Sequence, residues 1–303
     1  MAAVVGGAAQ DSRAGGWMAL HPSLMKRTEV GAARIGGSIY VIGGFTADSR
    51  TTAAVERYSI AGDSWTRVRD MPRPLNHAAA VAYRGDLYVV GGYTSATGLT
   101  QESRALYRYR PGKDRWSRLP DAPSARGALA AGVLGHRLYA VGGARGGRAL
   151  RTLEVFDFET RRWHSAPKMP TAREHLAAAV SGGRLYALAG RAAGKGNFRV
   201  AERYQPKRRR WEELSPMGTA RGGIAAATAR GRVAVFGGER SEGTIPETER
   251  FDPSARDWSY MPDMLTPRHG LGGVSFGRRL YAIEGGPQPG FAFSDAIEAY
   301  DLP

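Results

Sequence analysis

The 303 residues contain no cysteine. Disulfides, thiolate metal sites and thiol nucleophiles are thereby excluded. The compartment stays open, because a large core needs no covalent staples. Lysine is nearly absent as well: Lys26, Lys113, Lys168, Lys195 and Lys207 are the only five, so 38 of the 43 basic residues are arginine. Acidic residues number 28, which leaves a net charge of +15. GC-rich coding produces such a bias; its functional counterpart is an acidic partner. No apolar run reaches the roughly 18 residues of a membrane-spanning helix. No P-loop, G-x-S-x-G nucleophile element or HExxH motif is expected. The opening MAAVVGGAAQDS is apolar but has no basic start and is short for a signal peptide. Residues 1–16 are expected to form a flexible tail.

What is present is a period. All six tryptophans fall on it: Trp17, Trp65, Trp116, Trp163, Trp211 and Trp258, at steps of 48, 51, 47, 48 and 47. Twenty-three residues after each comes Tyr40, Tyr88, Tyr139, Tyr186, Ala234 or Tyr281. Seven before a Trp comes Tyr58, Tyr109, Phe156, Tyr204 or Phe251. Ten after comes Arg27, Leu75, Arg126, Arg173, Arg221 or Arg268. A glycine pair follows the aromatic in YVIGGF (40–45), YVVGGY (88–93) and YAVGGA (139–144), with worn versions in YALAGR (186–191), AVFGGE (234–239) and YAIEGG (281–286). Glycine inside a strand weakens it unless backbone must pass close by. Each unit holds four short strand signals, a to d; in the second these are HAAAVAYRG, DLYVVGGY, ALYRYR and RWSRL.

Four strands repeated radially predict an all-β, six-bladed β-propeller. The Arg, Gly-Gly, aromatic and Trp landmarks together resemble the kelch repeat, over residues 17–303, expected to be one domain. Blades are wedges, so strand a, nearest the axis, must carry small side chains, as in AAA at 78–80, 177–179 and 225–227. The chain stops at a strand c (IEAYDLP) with no Trp after Tyr300, while Trp17 precedes the first full blade. Residues 16–20 are therefore expected to supply the outer strand of the sixth blade and remove an open edge.

Strand order puts the d–a and b–c connections on one face, which carries the ligand mouth in kelch relatives. There the resemblance implies that the strand-a arginines serve acidic ligands. Guanidinium forks suit carboxylates. The expected binding set is Arg27, Arg126, Arg173, Arg221, Arg268 and Arg191, with Phe45 and Tyr93 for apolar contact and His77, His175 and His269 beside them. The bland alternative is that the recurring arginines brace the blades. The expected function is recognition of an anionic ligand or acidic protein segment, without chemistry, cofactor or metal, by a monomer. The alternative is a sugar-acid mutarotase or epimerase resembling sialic acid mutarotases, with Glu29 and Glu174 as acid and base. A copper enzyme like galactose oxidase is excluded, since its cofactor needs a cysteine. The ubiquitin-ligase adaptors' additional domains are not expected in these 303 residues. On the opposite face the a–b turns and c–d loops hold 18 basic against 8 acidic residues, with Arg34, Arg84 and Lys207 to Arg210 among them. Weak, sequence-blind polyanion binding is expected there.

Overall fold

The computed structural model describes residues 15–303. The expected tail therefore lies outside the described residues, apart from Gly15 and Gly16. Six four-stranded antiparallel sheets form the blades of a propeller. Blade 1 has strands a (Gly31–Ile35), b (Ser38–Ile42), c (Val55–Ser59) and d (Ser64–Val68). Blades 2 to 5 repeat this order, with strand a at Ala79–Tyr83, Ala130–Leu134, Ala177–Ser181 and Ala225–Ala229. Blade 6 takes a (Gly272–Phe276), b (Arg279–Ile283) and c (Ile297–Asp301) from the C-terminal end. Its strand d is Trp17–Ala19, antiparallel to strand c with Trp17 opposite Tyr300. The predicted clasp is thus the observed one. Among the described residues no helix is long and apolar enough to cross a membrane.

The core is not a central mass but six seams between neighbouring blades. Side chains alternate across a strand, and both faces of every blade are covered. Hence Ile39 and Val41 pack toward blade 6 while Tyr40 and Ile42 pack toward blade 2. This is why strand b reads as a continuous apolar run rather than an alternating one.

Three concentric rings of inter-blade hydrogen bonds tie the seams. At the rim, each Trp indole N–H donates to the carbonyl four residues beyond the preceding blade's Trp, at 2.8–3.1 Å. Trp17 closes that ring on Pro262. Further in, the glycine at the fifth position of each b-strand motif donates its N–H to the carbonyl of the residue that enters strand a of the next blade. Gly44 bonds Leu75, Gly92 bonds Arg126, and Gly285 closes onto Arg27, all near 2.9 Å. In blade 1 that approach leaves no room for a side chain, since a Cβ on Gly43 would lie 2.1 Å from the Leu75 oxygen, whereas Ala189 and Glu284 fill the same position in blades 4 and 6. Closest to the axis, Glu29, His77, Ala128, His175, Gly223 and Gly270 occupy one position in the six blades. All six have left-handed backbone, φ 50–68°. The N–H of each of the last five bonds the carbonyl of the one before it, and Val30 closes the ring on Gly270 at 3.2 Å.

Candidate functional site

The d–a and b–c connections meet on one face around the axis. The five arginines expected to face this opening do not. Arg27, Arg126, Arg173, Arg221 and Arg268 are 0–1% exposed. Each turns into its own blade and pairs with a glutamate on strand c: Glu56, Glu154, Glu202, Glu249 or Glu298. The carboxylates in turn accept backbone N–H groups of the d–a loops, as Glu249 does from Gly218 and Thr219. Burial depresses the pKa of four of these arginines, and the paired carboxylate opposes it. An unpaired charge at such depth would be costly, so the pairing is what holds the guanidinium inside. The signal was in the sequence: glutamate nine residues before Trp65, Trp163, Trp211 and Trp258. The second repeat, which has Leu75 in place of Arg, has Tyr107 in place of Glu, and both are buried in one seam.

Of the remaining expected groups, Phe45, Arg191 and the three histidines line the mouth, whereas Tyr93 is buried outside its lining. Phe45 is buried but edges onto Phe291, 5.1 Å between centroids, and Phe291 is 56% exposed. Tyr93 lies over Gly127, where a side chain would collide with its ring. Arg191 is 31% exposed; its Nε donates to Glu174 at 3.2 Å and its Nη1 to Glu239 at 2.7 Å. A cavity of about 140 Å³ opens between Glu29, Phe45, His77, Leu99, Arg191 and Phe291.

At its floor the three histidines gather. His77 Nε2 is 3.0 Å from His175 Nε2 and 3.0 Å from Glu29 Oε2. His175 Nδ1 bonds Glu174. His269, which strand alternation sets one register away from the other two, nonetheless brings Nδ1 to 3.3 Å from Glu29 Oε1. Left-handed backbone at Gly270 interrupts the alternation, and Gly286 lacks the side chain that would occupy the His269 ring's place. Burial holds His77 neutral, with its pKa lowered to about 3 despite the Glu29 charge. Burial raises the Glu29 and Glu174 carboxyls, while the histidine hydrogen-bond partners, His269 at Glu29 and His175 at Glu174, and Arg191 at Glu174 act in the lowering direction. A G-V-S-F-G string at 273–277 crosses strand a of blade 6, where Ser275 Oγ donates to the Thr228 carbonyl; it is not a strand-to-helix nucleophile turn.

This arrangement is a repeat propeller with a polar axial mouth. The KLHDC2/KLHL20/DRC7 Kelch-repeats domain model matches residues 17–169 and the Kelch motif model matches residues 172–218. The chain belongs to the kelch-repeat family. It is 29% identical over 133 residues to "Kelch repeat and BTB domain-containing protein 1" of Ectromelia virus (44% of this chain, 23% of that protein). It is 33% identical over 130 residues to "Kelch-like protein terF" of Aspergillus terreus (39% and 27%). It is 33% identical over 109 residues to "Beta-scruin" of Limulus polyphemus (35% and 12%). The matched stretches thus span about a quarter or less of these relatives.

Proposed function

We propose that this propeller is a protein-binding module whose mouth takes a partner segment carrying a carboxylate beside an apolar side chain. The observation that carries this reading is the division of the mouth. Blades 6, 1 and 2 supply Phe291, Phe45 and Leu99, which line one half of the cavity. The b–c loops of blades 3 and 4 supply Arg145, Arg148, Lys195 and Arg199, all exposed, with no acidic residue in either loop. Arg191 stands between the halves. A groove of about 900 Å³ continues outward from it past Lys195, Arg240 and Glu247. An anchor in an apolar pocket with charge at the rim is a common recognition pattern. On the opposite face Arg137, Arg232 and Arg279 pair with Asp157, Asp252 and Asp301. Arg84, Lys113, Lys207 and Arg208 stay exposed there, and they support weak, salt-sensitive polyanion binding.

The test is a panel of acidic, aromatic-containing peptides and charge-neutral counterparts, at fixed ionic strength. A ligand at about a hundred times its Kd adds roughly 2.7 kcal/mol of stability, readable as a thermal shift. Arg145→Ala with Lys195→Ala, and separately Phe291→Ala, are expected to weaken a true ligand about tenfold while leaving the melting temperature of the free protein unchanged. The reading fails if no acidic peptide shifts the melting temperature, or if those variants bind as well as the parent.

A further inference from the structure

Three lone-pair groups converge on the axis at the mouth floor: His77 Nε2, His175 Nε2 and a Glu29 oxygen, all within 4.8 Å of one another. The hydrogen-bond network around them settles which ring nitrogens carry protons. The Thr51 hydroxyl has one proton and donates it to the Ser95 carbonyl at 2.6 Å. It must therefore accept from Asn76 Nδ2, 2.8 Å away. That turns the Asn76 oxygen toward His77 Nδ1 at 2.7 Å, so Nδ1 is a donor. His175 Nδ1 faces the Glu174 carboxylate and is a donor for the same reason. In neutral rings both Nε2 atoms then present lone pairs. They point at each other and at a carboxylate with no hydrogen between them. Such a trio calls for a cation.

We propose that Glu29, His77 and His175 form a binding site for a divalent transition-metal ion of the zinc type, with its remaining coordination positions open to the mouth. The spacing fits. With metal–ligand bonds of about 2.1 Å, neighbouring ligand atoms lie roughly 3.0 Å apart on an octahedral edge and roughly 3.4 Å apart on a tetrahedral one. The observed 3.0 Å contacts match the lower value. Two imidazoles and one carboxylate suit zinc, cobalt or nickel better than the all-oxygen shells of calcium or magnesium. Both histidine ligands also have the outer partner that orients ligands in metal sites: Asn76 for His77 and Glu174 for His175. His269 is 2% exposed, aims at the site and makes no hydrogen bond of ordinary geometry. Beneath the trio Val30, Leu129, Leu176, Ile224 and Leu271 form an aliphatic collar around a space of about 80 Å³. The competing cation is a proton on His175, shared toward His77.

The test uses the full chain, stripped with chelator and desalted, and then titrated with Zn²⁺ by calorimetry and with Co²⁺ by visible absorption. One Zn²⁺ per chain is expected, with ligand-field bands from Co²⁺. His77→Gly and His175→Gly are the informative variants, because the ring already carries glycine at positions 223 and 270 with the same left-handed backbone. Both are expected to lose Zn²⁺ affinity at least a hundredfold. Glu29→Gln, which keeps the side-chain shape, covers the case in which a glycine variant does not fold, and should lose at least tenfold. His136→Ala, in a separate cluster with Asp157 and Glu159, should bind like the parent. The proposal is overturned if the parent binds no Zn²⁺ at one equivalent, which leaves the proton as the cation. It is equally overturned if binding survives in all three axial variants or disappears with His136→Ala.

Discussion

Arg27 differs from the other buried arginines in serving two carboxylates. Its Nη2 lies 3.1 Å from Glu56 and 2.8 Å from Glu284. One cation cannot compensate two buried anions. Burial pushes the Glu284 carboxyl up to about 7, with Arg27 pulling the other way. A folded-state pKa above the unfolded value means the native form holds the proton more tightly. The associated stability is fully present below the unfolded pKa and is lost as pH rises through about 7. Glu284→Gln should thus be more stabilising at pH 8 than at pH 5, by about 2–3 kcal/mol. Denaturant titrations of both proteins at the two pH values check this. An equal difference at both would show that Glu284 does not titrate between them.

Within a blade, the Arg–Glu pair is a brace joining the entrance of strand a to strand c. Blade 2 shows that the brace is replaceable as a unit, since Leu75 and Tyr107 fill the same two positions with apolar bulk. Breaking a buried pair at one end strands a charge, whereas replacing both ends with packed side chains can be nearly neutral. Arg126→Leu should therefore cost about 3–5 kcal/mol by leaving Glu154 unpaired. The double variant Arg126→Leu, Glu154→Tyr should recover most of that loss. A double-mutant cycle measures the recovery; purely additive losses would mean that the pair is not the operative unit.

For the molecule as a whole, closure depends on a short N-terminal strand. Trp17 is buried in the blade 5–blade 6 seam against Phe236 and Tyr300. It also completes the rim ring through Pro262. Trp17→Ala should cost about 3–5 kcal/mol, as large buried aromatics do. Truncation through Leu20 should cost more, because it also leaves strand c of blade 6 with an unpaired edge. Thermal unfolding of the two variants decides the point. Unchanged melting after truncation would show that the clasp carries no stability.

The architecture was readable from residues because it repeats. A seam, a close backbone approach and a wedge impose the same demand six times, so Trp, Gly-Gly and the strand-a alanines recur at one spacing. Even the clasp follows from counting Trp17 against the missing strand after Tyr300. The Arg–Glu brace was equally periodic, and it answers in favour of bracing the question that the arginines alone left open. The axial site is another matter. Glu29, His77 and His175 share one repeat position but not one residue type, and they are far apart in the chain. Only closure of the ring brings them within hydrogen-bonding distance. Their side-chain directions were not readable either, because left-handed backbone at that position breaks the strand alternation from which directions are inferred. Periodicity records what every blade must do alike, while a site on the axis is made from what the blades do differently.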